Sequence, residues 1–115
     1  MMPTFVMKNG RPWLVTGSPG GSTIIDTVLQ IIVNVVDFRL NVDEATHQPR
    51  IFQEARDAMR VEPNFNPDTV RMLTAMGHSI TTDQTMGSAQ SIMIENGLYL
   101  GAADPRRPGA LAVAP

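Results

Sequence analysis

The stretch Trp13-Leu14-Val15-Thr16-Gly17-Ser18-Pro19-Gly20-Gly21-Ser22 decides how this chain is read. Its first four residues have the apolar and β-branched character of a strand. The glycines and proline that follow break that strand. From Ile24 to Leu40 the chain becomes a long apolar, helix-like run. A strand that ends in glycines and feeds a helix gathers unpaired backbone N–H groups at one point. Three readings stay open for such a loop: a tight turn, a site for a bound anion, and a hole for an oxyanion that develops during a reaction. The Gly-Lys-Ser/Thr ending of a phosphate-binding P-loop is missing, and so is the Gly-x-Gly-x-x-Gly spacing of a dinucleotide fold.

Outward from the loop, local chemistry predicts the elements. Asn9-Gly10 and Asn96-Gly97 accept the positive φ angles of type I′ turns, which predicts two β-hairpins. The first joins Thr4–Met7 to Trp13–Thr16, and the second joins Ser88–Ile94 to Leu98–Leu100. Ser22 or Thr23 is expected to cap the long helix, with Asp26 completing a weak capping box behind Thr23. Ile25, Val28, Leu29, Ile32 and Val36 share one face of that helix, while Ile24, Ile31 and Val35 make the other side apolar too. Such a helix is expected between layers. Asn41 with Glu44 starts a short helix that stops before Pro49. An extended piece is expected around Met59–Glu62. Asn66-Pro67-Asp68 starts a third helix with the stripe Val70, Leu73, Met76 and a stop at Gly77. His78–Thr82 reads as a strand and the tail from Asp104 as irregular. Strands, helices and hairpins in this order predict a layered α+β arrangement with mainly antiparallel sheet, in at most one domain.

Composition bounds the function classes. The chain has 115 residues, 43% of them hydrophobic and 17% charged, which suits a packed core. A net charge of −2 gives no reason to expect nucleic acid or an anionic membrane as partner. The absence of cysteine excludes disulfides, zinc thiolates and cysteine nucleophiles. The Ile24–Leu40 run carries Asp26, Asp37 and Arg39 and is too short and polar to span a bilayer. His47 and His78 lack a second ligand at metal spacing and read as surface or helix-end residues. Asp83 reads as a loop residue with no evident partner. Asp104-Pro105-Arg106 suits an internal ion pair that pins the tail, and a carboxylate-gripping role for Arg106 is the minor alternative.

A set of motifs in fixed order carries a resemblance. Met1-x-Pro3-Thr4, Trp13 through Ser22, Leu40-Asn41-Val42-x-Glu44-Ala45, Pro49-Arg50, Pro67-Asp68-Thr69, Met86-Gly87-Ser88-x-Gln90-Ser91-Ile92 and Asp104-Pro105-Arg106 together resemble the C-terminal part of the small subunit of the gamma-glutamyltranspeptidase family. Phe52-Gln53 departs from the histidines that many relatives carry there.

The resemblance implies the layered fold of the N-terminal nucleophile hydrolases. It implies transfer or hydrolysis of the γ-glutamyl group of glutathione-type amides, with no cofactor or metal, in a periplasmic or extracellular setting. It implies that the backbone N–H groups of Gly20 and Gly21 form the oxyanion hole. The family's nucleophilic threonine and its substrate-gripping residues lie upstream of the segment matching Met1, so the chain alone is expected to be inactive. Thr4 and Thr16 suit strands and Thr23 a helix cap. The implied partners are the remainder of the small subunit and the large subunit, or further copies through open sheet edges. The alternatives are a fragment of a related acylase and a non-catalytic remnant or binding module.

Overall fold

Both Asn-Gly turns form as their chemistry dictates. Asn9 and Gly10 take φ of 52° and 74°, and Asn96 and Gly97 take 50° and 76°. These turns join β1 (Thr4–Lys8) to β2 (Arg11–Gly17) and, later, β6 (Gln90–Glu95) to β7 (Leu98–Ala103). The structure is a computed structural model that describes residues 1–114. The chain divides into two compact units: residues 1–48 with 87–115, and residues 49–86.

In the first unit the two hairpins combine into one antiparallel sheet of order β1-β2-β6-β7. The central seam pairs Leu14 with Met93 and Thr16 with Ser91. Alternation along a strand puts these residues on one face. Leu14, Val35, Val42, Ala45, Met93 and Ala102 form the core, with Ile32 and Leu40 packed against it. That core joins the sheet to α1 (Ile24–Val36) and α2 (Val42–His47). The opposite sheet face carries Phe5, Val15 and Ile92 in cross-strand register. Phe5 is 57% and Ile92 45% exposed.

Helix α1 departs from its sequence reading in three ways. A 3₁₀ turn at Gly21–Thr23 precedes it, and Thr23 sits in helical geometry with no side-chain cap bond. The Thr23 hydroxyl turns back to the Gly20 carbonyl instead. The helix ends at Val36 rather than Leu40 because Arg39 adopts a left-handed φ of 57° and the Leu40 N–H folds back to Asn34 O at 3.0 Å. Its buried face is Thr27, Ile31 and Val35, whereas Ile25 is 77% and Leu29 54% exposed. Helix α2 follows its prediction: Asn41 Oδ1 accepts the Glu44 N–H at 2.8 Å, and Glu44 returns a carboxylate to the Asn41 N–H.

The second unit holds β3 (Ile51–Phe52), β4 (Met59–Val61), α3 (Pro67–Ala75) and β5 (Ile80–Thr82). Asn66 caps α3 by accepting from the Asp68 and Thr69 N–H groups. Gly77, at φ 99°, follows its end. No residue of α3 is buried, so its stripe of Val70, Leu73 and Met76 covers less than its pattern promised. Strand β4 pairs antiparallel with β3 but parallel with β5, a mixture that the hairpin signals did not predict. Among the described residues, no helix is long and apolar enough to cross a membrane.

Candidate active-site loop

The loop after β2 is built from opposites in burial. Ser18 is fully buried, while Pro19, Gly20 and Gly21 are exposed. Gly20 has φ 138° and ψ 14°, a backbone state that side chains exclude. A Cβ there would also stand 2.6 Å from Thr23 Oγ1. Gly21 has φ 58°, and a Cβ on it would meet nothing within 4 Å. The glycine pair therefore presents two successive backbone N–H groups at the entrance to the 3₁₀ turn. Among the described residues neither N–H donates to a backbone carbonyl or side chain. Such an array stabilises a negatively charged oxygen.

The carbonyls of the same loop are engaged. Ser18 Oγ donates to Pro19 O at 2.6 Å and accepts the Ser88 N–H at 2.9 Å. Thr23 gives both its hydroxyl, at 2.9 Å, and its N–H, at 3.2 Å, to Gly20 O. The segment Gly87-Ser88 supports the loop at close range. A Cβ on Gly87 would lie 2.6 Å from Ser18 Oγ and 2.9 Å from Thr27 Oγ1. Ser88 Oγ is buried with no partner among the described residues.

The other candidate residues are occupied elsewhere. His47 Nδ1 lies 2.8 Å from Asp43 O, a helix-end contact as expected. Asp83 does have a partner: Arg60 Nη1 stands 2.7 Å from Asp83 Oδ2. The Gln84 N–H and this guanidinium together hold the Asp83 carboxyl below its usual range. Arg106 makes the predicted internal pair with Asp104 at 3.1 Å and adds bonds to the carbonyls of Thr46 and Gln48. Those bonds commit its guanidinium to pinning the tail. Among the described residues, no cluster of three histidine, aspartate or glutamate side chains could hold a metal ion. A cavity of about 900 Å³ opens over the exposed sheet face, lined by Val15, Ile92, Tyr99, Leu111 and Val113 among others, and does not include the glycine pair.

Sequence reasoning singled out the glycine loop, and the resemblance pointed within it to Gly20 and Gly21, but the hydroxyl bonds to the carbonyls beside them were not foreseen. Ser18 and Thr23 flank the pair, a pattern visible in the quoted stretch. Ser88 is 70 positions from Ser18, with Gly87 just before it, and nothing local announces their approach.

Comparison with known proteins agrees with this architecture. The gamma-glutamyltranspeptidase family model matches residues 1–114. The Escherichia coli glutathione hydrolase proenzyme is 53% identical over 108 residues, covering 92% of this chain and 19% of that protein. The chain thus spans about a fifth of the length of such curated relatives. A Helicobacter pylori gamma-glutamyltranspeptidase structure superposes with a TM-score of 0.87 at 41% identity, covering 93% of this chain and 61% of that one. A Bacillus halodurans cephalosporin acylase superposes with a TM-score of 0.85 at 30% identity, covering 90% of this chain and 20% of the acylase. On the sequence match along 1–114 and the agreement in fold, the chain belongs to the gamma-glutamyltranspeptidase family, whose layered N-terminal-nucleophile-hydrolase fold it shares in part.

Proposed function

We propose that this chain is one part, over 1–115, of an enzyme that transfers or hydrolyses the γ-glutamyl group of glutathione-type amides, and that Gly20 and Gly21 supply its oxyanion hole. The observation that carries this reading is the glycine pair itself: two adjacent N–H groups, unpaired among the described residues, on an exposed loop held by buried neighbours. In the reaction a nucleophilic oxygen adds to the γ-carbonyl carbon, and the carbonyl oxygen takes up the negative charge. The two N–H groups stabilise that oxygen until the C=O re-forms and the C–N bond breaks, the amine leaving with the proton that the nucleophile gave up and the γ-glutamyl group staying as an ester. The nucleophile comes from outside these residues. Thr4 and Thr16 are strand residues, and Thr23 is spent on Gly20 O. The chain alone is therefore inactive.

A cephalosporin-acylase-like reaction is the second reading, motivated by the acylase superposition. The same hole would serve it, because both reactions pass through an amide-derived oxyanion.

The test places this segment in the Escherichia coli proenzyme in exchange for its matching stretch. Hydrolysis of a γ-glutamyl anilide is then compared with that of a cephalosporin side-chain amide. The chimera keeps the host's own substrate-gripping residues, so γ-glutamyl turnover at the host's level supports the first reading and its loss counts against it, while a gain of cephalosporin side-chain hydrolysis favours the second. Gly20→Ala in that chimera keeps the N–H but cannot hold it in place, because the φ of 138° and the contact of a Cβ with Thr23 Oγ1 force the loop to move; kcat is expected to fall toward the ~10²–10³ lost with one oxyanion donor. An unchanged kcat would remove the oxyanion role.

A further inference from the structure

We propose that Ser18 and Thr23 are positioning residues that aim the two oxyanion donors, each by gripping the carbonyl of the same peptide unit. The inference rests on the oxyanion reading of Gly20 and Gly21. A trans peptide is planar, and its C=O and N–H point in opposite directions. All peptide bonds described here are trans. Pro19 O and the Gly20 N–H belong to one such unit, and Gly20 O and the Gly21 N–H belong to the next. Fixing each carbonyl therefore fixes the direction of the N–H across from it.

The structure grips both carbonyls with hydroxyls. Ser18 Oγ donates to Pro19 O at 2.6 Å, and Thr23 Oγ1 donates to Gly20 O at 2.9 Å. Neither hydroxyl stands alone. Ser18 is fully buried and accepts the Ser88 N–H, which turns its proton toward Pro19 O. Thr23 adds its own N–H to the same carbonyl.

Two consequences follow. Glycine at 20 and 21 leaves φ free, and a donor that swings freely must be reoriented as charge develops. The hydroxyls remove that freedom before the reaction begins, which is the preorganisation that makes such holes effective. A peptide whose carbonyl accepts a hydrogen bond is also polarised, so its N–H becomes a stronger donor. The position of the hydroxyls explains why Ser18 and Thr23 bracket the pair, one on each side. Neither touches the reacting atoms.

The experiment uses the chimeric proenzyme described above, with Thr23→Val, Thr23→Ser, Ser18→Ala and Gly20→Ala measured against the unmutated chimera. Thr23→Val keeps the shape and the residue 23 N–H but loses the hydroxyl, on a part of the loop that is not fully buried. The expected result is a fall in kcat of about tenfold with KM unchanged, because only the charged state is affected. Thr23→Ser should restore kcat, and the thermal midpoint of Thr23→Val should match that of the parent. Ser18→Ala should lower kcat likewise, with added loss of stability from the orphaned Ser88 N–H. If Gly20→Ala lowers kcat while Thr23→Val and Ser18→Ala do not, the positioning role is overturned and the oxyanion reading survives. If Gly20→Ala itself leaves kcat unchanged, the oxyanion reading fails, and this inference fails with it.

Discussion

Glu62 and Arg50 hold the Met86 backbone between them. Glu62 Oε1 accepts the Met86 N–H at 2.7 Å, and Arg50 Nη1 donates to Met86 O at 2.7 Å. Glu62 Oε2 also accepts the Arg50 N–H at 2.9 Å. Both side chains are almost completely buried. A buried carboxylate accepting two N–H bonds stands in for the backbone pairing that an irregular segment lacks.

Glu62→Gln places an amide NH₂ where one acceptor oxygen was, so one N–H faces another donor. The expected loss is roughly 1–3 kcal/mol, the cost of an unsatisfied buried donor. Urea denaturation of the 115-residue chain measures it, and a midpoint equal to the parent's would contradict the bridging role.

Gly87→Ala and Gly10→Ala form a matched pair. Both glycines have positive φ, 67° and 74°. At Gly10 a methyl meets open space, so the cost is the left-handed backbone alone, about 1–2 kcal/mol. At Gly87 the methyl adds overlap with Ser18 Oγ and Thr27 Oγ1. Thermal melting should show a clearly larger drop for Gly87→Ala. Equal drops would mean that Ser18 and Thr27 yield without penalty.

The Arg60–Asp83 pair predicts a pH signature. The folded carboxyl titrates below the ordinary 3.8 because the Gln84 N–H and the guanidinium favour its charged form. Its stabilisation is thus fully present above 3.8 and fades as pH falls through the lowered value. The parent should be more stable than Asp83→Asn near neutral pH, and the gap should close in strong acid. Both side chains are about a third exposed, so salt should shrink the gap as well. A gap that is the same at neutral and strongly acid pH would exclude the ionic cause.

Exposed apolar surface predicts association of the isolated chain. Phe5 and Ile92 lie on the open sheet face, while Ile25 and Leu29 lie on the open side of α1. Light scattering at high micromolar concentration should give a mass above the 12.5 kDa of one chain. Ile25→Glu combined with Leu29→Lys should lower that mass. A single-chain mass in the parent would sink the idea.

What could be read from the sequence was local. The Asn9-Gly10 and Asn96-Gly97 turns, the Asn41–Glu44 capping box and the Asn66-Pro67 helix start each depend on residues within a few positions of one another. The passage from strand through glycines into helix was legible for the same reason, whereas the choice of Gly20 and Gly21 within it came from the resemblance. Misreadings arose where a distant or competing partner decided the outcome. Thr23 looks like a cap in sequence, yet its backbone is already helical, no N–H reaches its oxygen, and its hydroxyl donates to Gly20 O. Asp83 looks solitary because Arg60 lies 23 positions away. Both faces of α1 are apolar in sequence, and periodicity does not say which of the two this sheet covers: Thr27, Ile31 and Val35 are buried while Ile25 and Leu29 are exposed.

The first unit is assembled from two stretches of chain that the second unit separates. Its central seam joins Thr16 to Ser91, 75 positions apart. The β1–β2 hairpin therefore forms early, and the far edge of β2 waits for β6 to be made. Closing so long a loop is entropically slow, whereas residues 49–86 are contiguous and fold from nearer contacts. Sequence separation thus predicts that the pairing of β2 with β6, rather than either turn, is the slow step of folding. Until that pairing closes, β2 offers an open edge to any other strand that reaches it first.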